Sequence, residues 1–175
     1  MHRGLLPQDV VVLAKLVSYH GTRPPIAQLA VDLSLSPSQV HLALKRLERS
    51  RLTDSDTGRP LLRAVEEFLV HGVKYAFPAQ RGEATRGIPT AYAAPPLNGQ
   101  IAESSDLPPV WPDPEGDVRG VGFEALYTAV PKAVRKDPVL YELLALIDAL
   151  RDGRTRERQI AERELSGRLK ELLRG

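Results

Sequence analysis

Residues 26–52 read IAQLAVDLSLSPSQVHLALKRLERSRL, and the spacing of their apolar positions predicts two short helices around a Ser-Leu-Ser turn. Pro24 and Pro25 mark the first start, and Ile26, Leu29, Ala30 and Leu33 then fall on one helical face. Ser36 opens the second helix as its N-cap, Pro37 takes the first position, and Gln39 can reach back to complete a capping box. Val40, Ala43, Leu44 and Leu47 form the stripe that faces inward. With about 100° between successive residues, Ser38, Leu42, Lys45 and Arg49 then point outward, flanked by His41 and Arg46 on opposite sides. Lysine or arginine can donate to guanine or phosphate, serine and histidine to bases or backbone, and an outward leucine can pack on thymine methyl groups. The plainer alternative is solvated surface, with Leu42 as one more singly exposed apolar residue.

Composition bounds what surrounds this segment. The chain has 175 residues, 42% of them hydrophobic, 26% charged and only 5% aromatic. A core of that make-up is built from Leu, Val and Ala. The absence of cysteine excludes disulfides, cysteine zinc sites and thiol catalysis, and fits a reducing cytoplasm. No apolar run approaches the roughly 20 residues of a membrane span. Asp9 and Lys15 interrupt the opening MHRGLLPQDVVVLAKLV, and no small-residue cleavage site follows, so no signal peptide is read. The expected location is cytoplasmic, with no membrane partner. The net charge of +2 divides unevenly: residues 1–60 carry +3, residues 61–150 carry −4 and residues 151–175 carry +3. Basic ends around an acidic middle would let one end approach phosphate.

Outward from the opening segment, Pro7 begins an earlier helix with Val10, Leu13, Leu16 and Val17 at helical spacing, closed by Gly21. LTDSDTGRPL, residues 52–61, predicts a short hairpin turning at Asp56, Thr57 and Gly58, with Pro60 limiting its pairing. Leu62, Val65, Leu69 and Val73 predict a fourth helix weakened near Gly72, followed by VKYAF as a strand. From Pro78 to Pro114 the density of Pro, Gly, Ser and Ala predicts turns and short extended pieces. Asp137 and Pro138 repeat the cap-plus-proline signal before Leu140, Leu143, Leu144, Ile147 and Leu150, and Gly153 separates these from a charged helix over 155–173. The expected division is a DNA-binding unit over 1–75, an irregular middle over 76–136 and C-terminal helices over 137–175.

The succession of helix, IAQLAVDLSLS, capped SPSQVHLALKRLERSRL and hairpin resembles the winged helix-turn-helix of bacterial MarR-like transcriptional regulators over about residues 7–61. The resemblance implies a mainly α fold with a small β-hairpin wing. It implies a sequence-specific DNA-binding regulator, a dimeric repressor, with helix 36–50 in the major groove of double-stranded DNA. Ser36 and Ser38 would sit near phosphate and bases. Gln39, His41, Leu42 and Lys45 would read or line the groove, while Arg46 and Arg49 held the backbone. Thr57 and Arg59 would lie on the wing. This hairpin is shorter than is usual in the family, Pro60 stands in its second strand, and Arg51 replaces the small residue common before the wing. Winged helices also dock proteins, so the rival reading is a docking module such as an antitoxin that neutralises a partner toxin.

No convergent catalytic constellation emerges, and no enzyme activity or cofactor is expected. The histidines at 2, 20, 41 and 71 lack metal-ligand spacing, and none is assigned to a metal. RGEATRGIPT, residues 81–90, lacks both the phosphate-loop lysine-serine pair and dinucleotide glycine spacing. Asp113, Glu115 and Asp117 read as a solvated acidic turn rather than a calcium loop. Arg81, Arg86 and Tyr92 mix arginine and aromatic character among rigid prolines, which suits a protein partner or an effector pocket as well as a loop covering the core. Leu140–Leu150 is too apolar to leave in water and either packs back on the first helix or pairs with a second chain; because operators are usually two-fold symmetric, a homodimer formed largely through the C-terminal helices is expected.

Overall fold

The computed structural model describes residues 4–102 and 104–174; residues 1–3, 103 and 175, and with them His2, lie outside the described part. It is mixed α/β, with eight α-helices and a small three-stranded sheet among the described residues. α1 (Pro7–Ser18), α2 (Ile26–Leu33) and α3 (Pro37–Arg49) open the chain. At the start of α3, Ser36 Oγ accepts from the Gln39 N–H at 3.1 Å and Gln39 Oε1 accepts from the Ser36 N–H at 2.9 Å, which satisfies two otherwise orphaned donors. Ser34, left-handed at φ 53°, ends α2 and turns the chain into α3.

α1 differs from an ordinary amphipathic helix. Residues 9–17 are all buried, including Asp9 and Lys15. The two charges that break its apolar run are internal partners. Asp9 is fully enclosed and accepts from the Leu6 N–H at 2.8 Å, which caps its own helix. The same carboxylate receives both arms of Arg46 from α3, Nε to Oδ2 at 2.7 Å and Nη2 to Oδ1 at 2.8 Å. The hydrogen bond to Asp9 raises the Arg46 pKa above its ordinary value. Lys15 Nζ donates to Asp137 Oδ2 at 2.7 Å and lies 3.7 Å from Asp32 of α2. Tyr19 donates its hydroxyl to Asp32, which, with burial, pushes its pKa up to about 12.

Residues 52–61 turn back on themselves, with one antiparallel bridge between Thr53 and Pro60. Asp54 N–H donates to Arg59 O at 2.8 Å and Leu61 N–H to Leu52 O at 2.9 Å. Asp54 Oδ1 accepts from the Thr57 N–H, the Thr57 hydroxyl and the Asp56 N–H. These bonds, with Thr57 foremost, hold its carboxyl below the usual range. The next helix is α4 (Leu62–Glu67), a π turn over Phe68–Gly72, and α5 (Val73–Ala76). VKYAF is therefore helical rather than a strand. The wide turn re-aims the apolar face, so that Val65, Leu69, Val70 and Val73 are all buried.

The middle of the chain departs furthest from the irregular segment its composition suggests. β1 (Arg81–Pro89) pairs antiparallel with β2 (Pro109–Pro112) through Gly87↔Pro112, Ile88↔Trp111 and Pro89↔Val110. It also pairs antiparallel with β3 (Val118–Phe123), from Arg81↔Phe123 to Gly87↔Val118. β2 and β3 pair parallel through Pro109↔Val121 and Val110↔Gly122, which closes a minimal barrel. The barrel is so narrow that a Cβ on Gly87 would lie 2.0 Å from Trp111 O, and one on Gly120 2.1 Å from Pro108 O. Glycine stands there for close backbone approach, not for a turn.

α6 (Val130–Val134) leads into α7 (Pro138–Asp152), capped by Asp137, whose side chain accepts from the Leu140 N–H at 3.0 Å. α7 is the central element: Leu140 and every residue from Leu143 to Leu150 are buried. α8 (Thr155–Leu173) lies along it and buries Ala161, Leu165, Leu169 and Leu172. The leucine faces on which the expectation of a homodimer rests are thus covered within one chain. Nor do breaks at 75/76 and 136/137 separate cores, because one hydrophobic cluster joins α1, α3, the strands, α7 and α8.

Two stability predictions follow from these buried charges. Arg46→Ala leaves Asp9 enclosed without its partner, and urea unfolding should show a loss of about 3–5 kcal/mol. For Asp137, burial raises the carboxyl pKa, but the bonds from Lys15, Leu140 and Ser18 and the charge of Lys15 outweigh it and lower the net value. A depressed folded-state pKa gives stability above the unfolded value of about 4 that is lost as pH falls. Unfolding free energy should therefore decline below about pH 4, and Asp137→Asn should flatten that decline.

Candidate nucleic-acid interface

The outward side of α3 is open. Ser36, Ser38, Gln39, His41, Leu42, Lys45 and Arg49 are all exposed. Leu42 is 51% exposed, and the Lys45 side chain 58%. Lys45 meets Glu48 at 3.8 Å one turn on, an exposed pair too weak to withhold the ammonium from a phosphate. The cap engages the acceptor oxygens of Ser36 and Gln39, leaving the Ser36 hydroxyl proton and the Gln39 amide nitrogen as donors. Arg46 does not join this face. Both arms of its guanidinium hold Asp9, and its side chain is 11% exposed. The assignment of Arg46 to a DNA backbone is corrected accordingly: it fixes α3 to α1.

The hairpin contributes cations in an unexpected arrangement. The Thr57 hydroxyl is engaged by Asp54 and by the Arg59 N–H, so its role is to shape the turn. Arg59 is exposed but folds back: its guanidinium nitrogens lie 3.6 and 3.7 Å from where a Cβ on Gly21 would stand. Arg23, in the loop between α1 and α2, crosses the other way, with Cδ 2.6 Å from where a Cβ on Gly58 would stand. Each arginine thus lies over the other's segment, and no carboxylate among the described residues is within ion-pair distance of either. Nothing in the sequence singles out Arg23, because a lone arginine before two prolines carries no signal of a partner at Gly58, far along the chain. Arg51 is exposed and left-handed at φ 59°, which is the physical reason a small residue suits that position.

The three middle residues separate. Arg81 and Tyr92 line one cavity of about 480 Å³. Arg86 does not; it stands opposite Arg119 on the neighbouring strand. In the acidic turn, Asp113 Oδ1 accepts from the Glu115 N–H, and Arg135 pairs with Asp113 at 2.5 Å and with Glu115 at 3.5 Å. Among the described residues no group of three or more His, Asp or Glu is placed to hold a metal ion. No helix among them is long and apolar enough to cross a membrane. Comparison with protein-family models, curated proteins and solved structures gives no match for this chain.

The packing of Arg23 over Gly58 is testable. Gly58 has φ +71°, so Gly58→Ala should cost about 1–2 kcal/mol from the left-handed conformation alone. The collision with Arg23 adds to that cost. Chemical denaturation in an Arg23→Ala background should recover the second part and leave the first.

Proposed function

We propose that α3 enters the major groove of double-stranded DNA and that the protein is a sequence-specific transcriptional regulator, acting as a repressor. The observation that carries this reading is Leu42. It is half-exposed in the middle of an uncovered helical face, one turn from Ser38 on one side and Lys45 on the other. A solvated face has little need of a large apolar side chain there, whereas a groove offers thymine methyl groups. Ser38 and His41 are the candidates for base or backbone hydrogen bonds, Lys45 for guanine or phosphate, and Arg49 for phosphate. The order of three helices and a hairpin supports the same reading by its likeness to a winged helix-turn-helix. Arg23 and Arg59 then serve as a paired backbone contact beside the groove rather than as a minor-groove finger. A repressor dimer, the usual match to a two-fold operator, has to pair through surface other than the leucine faces of α7 and α8.

Titration of the protein against its own upstream DNA over a salt series tests this. Affinity should fall linearly on a log–log scale, and Lys45→Ala and Arg49→Ala should each weaken binding and reduce the slope by about 0.9. Arg23→Ala and Arg59→Ala should weaken binding to every sequence alike. Leu42→Ala should narrow the gap between operator and competitor DNA more than it lowers total affinity. Protein that ignores DNA at low salt while retaining a co-purifying partner would overturn the reading in favour of a docking module.

A further inference from the structure

The cavity holding Arg81 and Tyr92 lies between the barrel, residues 100–102 and 104–107, and the start of α8. Its volume of about 480 Å³ falls within the size that takes a small organic molecule. One wall is apolar, formed by the Tyr92 ring, Ile101, Leu107 and Val121. Leu107 is 46% exposed, one of few large apolar side chains left in water among the described residues. The opposite rim is charged, and its charges are not equally available. Arg81 is paired with Asp152 at 2.5 Å. Glu157 caps α8 by accepting from the Arg154 N–H at 3.0 Å. Arg154 and Arg156 both reach the cavity, and neither guanidinium is in any ion pair formed among the described residues, unlike Arg81. The Tyr92 hydroxyl, half-buried, makes no hydrogen bond to any described residue. Burial first, and then the nearby Glu157, raise its pKa, so it stays a donor.

We infer that this cavity is a binding site for a small amphipathic monoanion: an aromatic or branched apolar body against Tyr92, Ile101, Leu107 and Val121, and one carboxylate or sulfonate on Arg154 and Arg156. The chemistry follows from the two walls. An apolar surface of this size gains from a ligand that removes it from water. Two guanidinium groups at the start of a 19-residue helix favour an anion. Polyphosphates do not fit. The rim's three arginines are matched by three carboxylates among the described residues, Asp106 completing the set, so there is no net positive charge to hold a polyanion, and only the guanidinium groups of Arg154 and Arg156 are left open to one anionic group. The inference is independent of DNA binding, because the ligand meets neither α3 nor the hairpin.

Fluorescence titration of the full chain with 8-anilinonaphthalene-1-sulfonate, and with N-phenyl-1-naphthylamine as the same body without the anion, provides the test. The sulfonate should bind saturably, one per chain, and about tenfold tighter than the neutral probe, the gain expected from a charge-assisted contact. Arg154→Ala with Arg156→Ala should erase that tenfold preference while the neutral probe binds as before. Both side chains are exposed, so the fold is not at risk. Leu107→Asp should weaken both probes. Leu42→Ala and Tyr75→Ala, at exposed apolar residues elsewhere, should change neither. No saturable binding, equal affinity for the two probes, or loss of binding in the Leu42 or Tyr75 variant overturns the proposal.

Discussion

The ion pair between Asp9 and Arg46 is the constraint on which the rest of the molecule turns. An enclosed carboxylate is tolerable only when paired and fully hydrogen-bonded. Asp9 meets that condition with three bonds: one to the start of its own helix and two to a guanidinium from α3. Those two bonds fix α3 in rotation as well as position. With Arg46 turned inward, the helical repeat leaves no freedom for the positions around it. Val40, Ala43, Leu44 and Leu47 close the core, and Leu42, Lys45 and Arg49 must face away. A charge that belongs to the surface on composition alone is what determines which surface exists.

Two further polar anchors use the same device on α7. Lys15 ties α1 to Asp137 at the start of α7 and approaches Asp32 of α2. Farther along α7, buried Asp148 accepts from Trp111 Nε1 at 2.7 Å, Thr90 Oγ1 at 2.8 Å and Arg151 Nη1 at 2.9 Å. Burial raises the Asp148 pKa, against the opposing pull of Arg151, Thr90 and Trp111. Arg151 also donates to Phe77 O at 2.8 Å, and Tyr141 donates to Pro89 O at 2.6 Å. The barrel is thus fastened to the central helix by directed bonds around its one tryptophan. In a chain poor in aromatic residues, such bonds supply the specificity that leucine and valine packing leaves loose.

What the sequence reveals and what it conceals divide along the range of the interactions. Caps are local, so Ser36 with Gln39 and Asp137 with Pro138 are legible, and so is the outward face of α3. The barrel is not local. β2 joins β3 in parallel, and the glycines and prolines that allow its close approach carry the same signature as loops. The all-round burial of α7 over residues 143–150 had a signal in that stretch, apolar throughout except for Asp148. Arg46 had one too, in Asp9, which with Lys15 breaks the apolar run of α1. Arg81 and Arg86 look alike in sequence, but five residues along a strand span about 16 Å, and only the first reaches the cavity with Tyr92.

The claim that α3 meets DNA through its outer face is tested most directly by proximity. A photoreactive benzophenone side chain placed at position 42 should crosslink to the protein's upstream duplex, with label recovered on bases, while the same group at position 75, still more exposed on α5, should not. Crosslinking at position 75 and none at position 42, or label from position 42 recovered only on protein, would contradict the account.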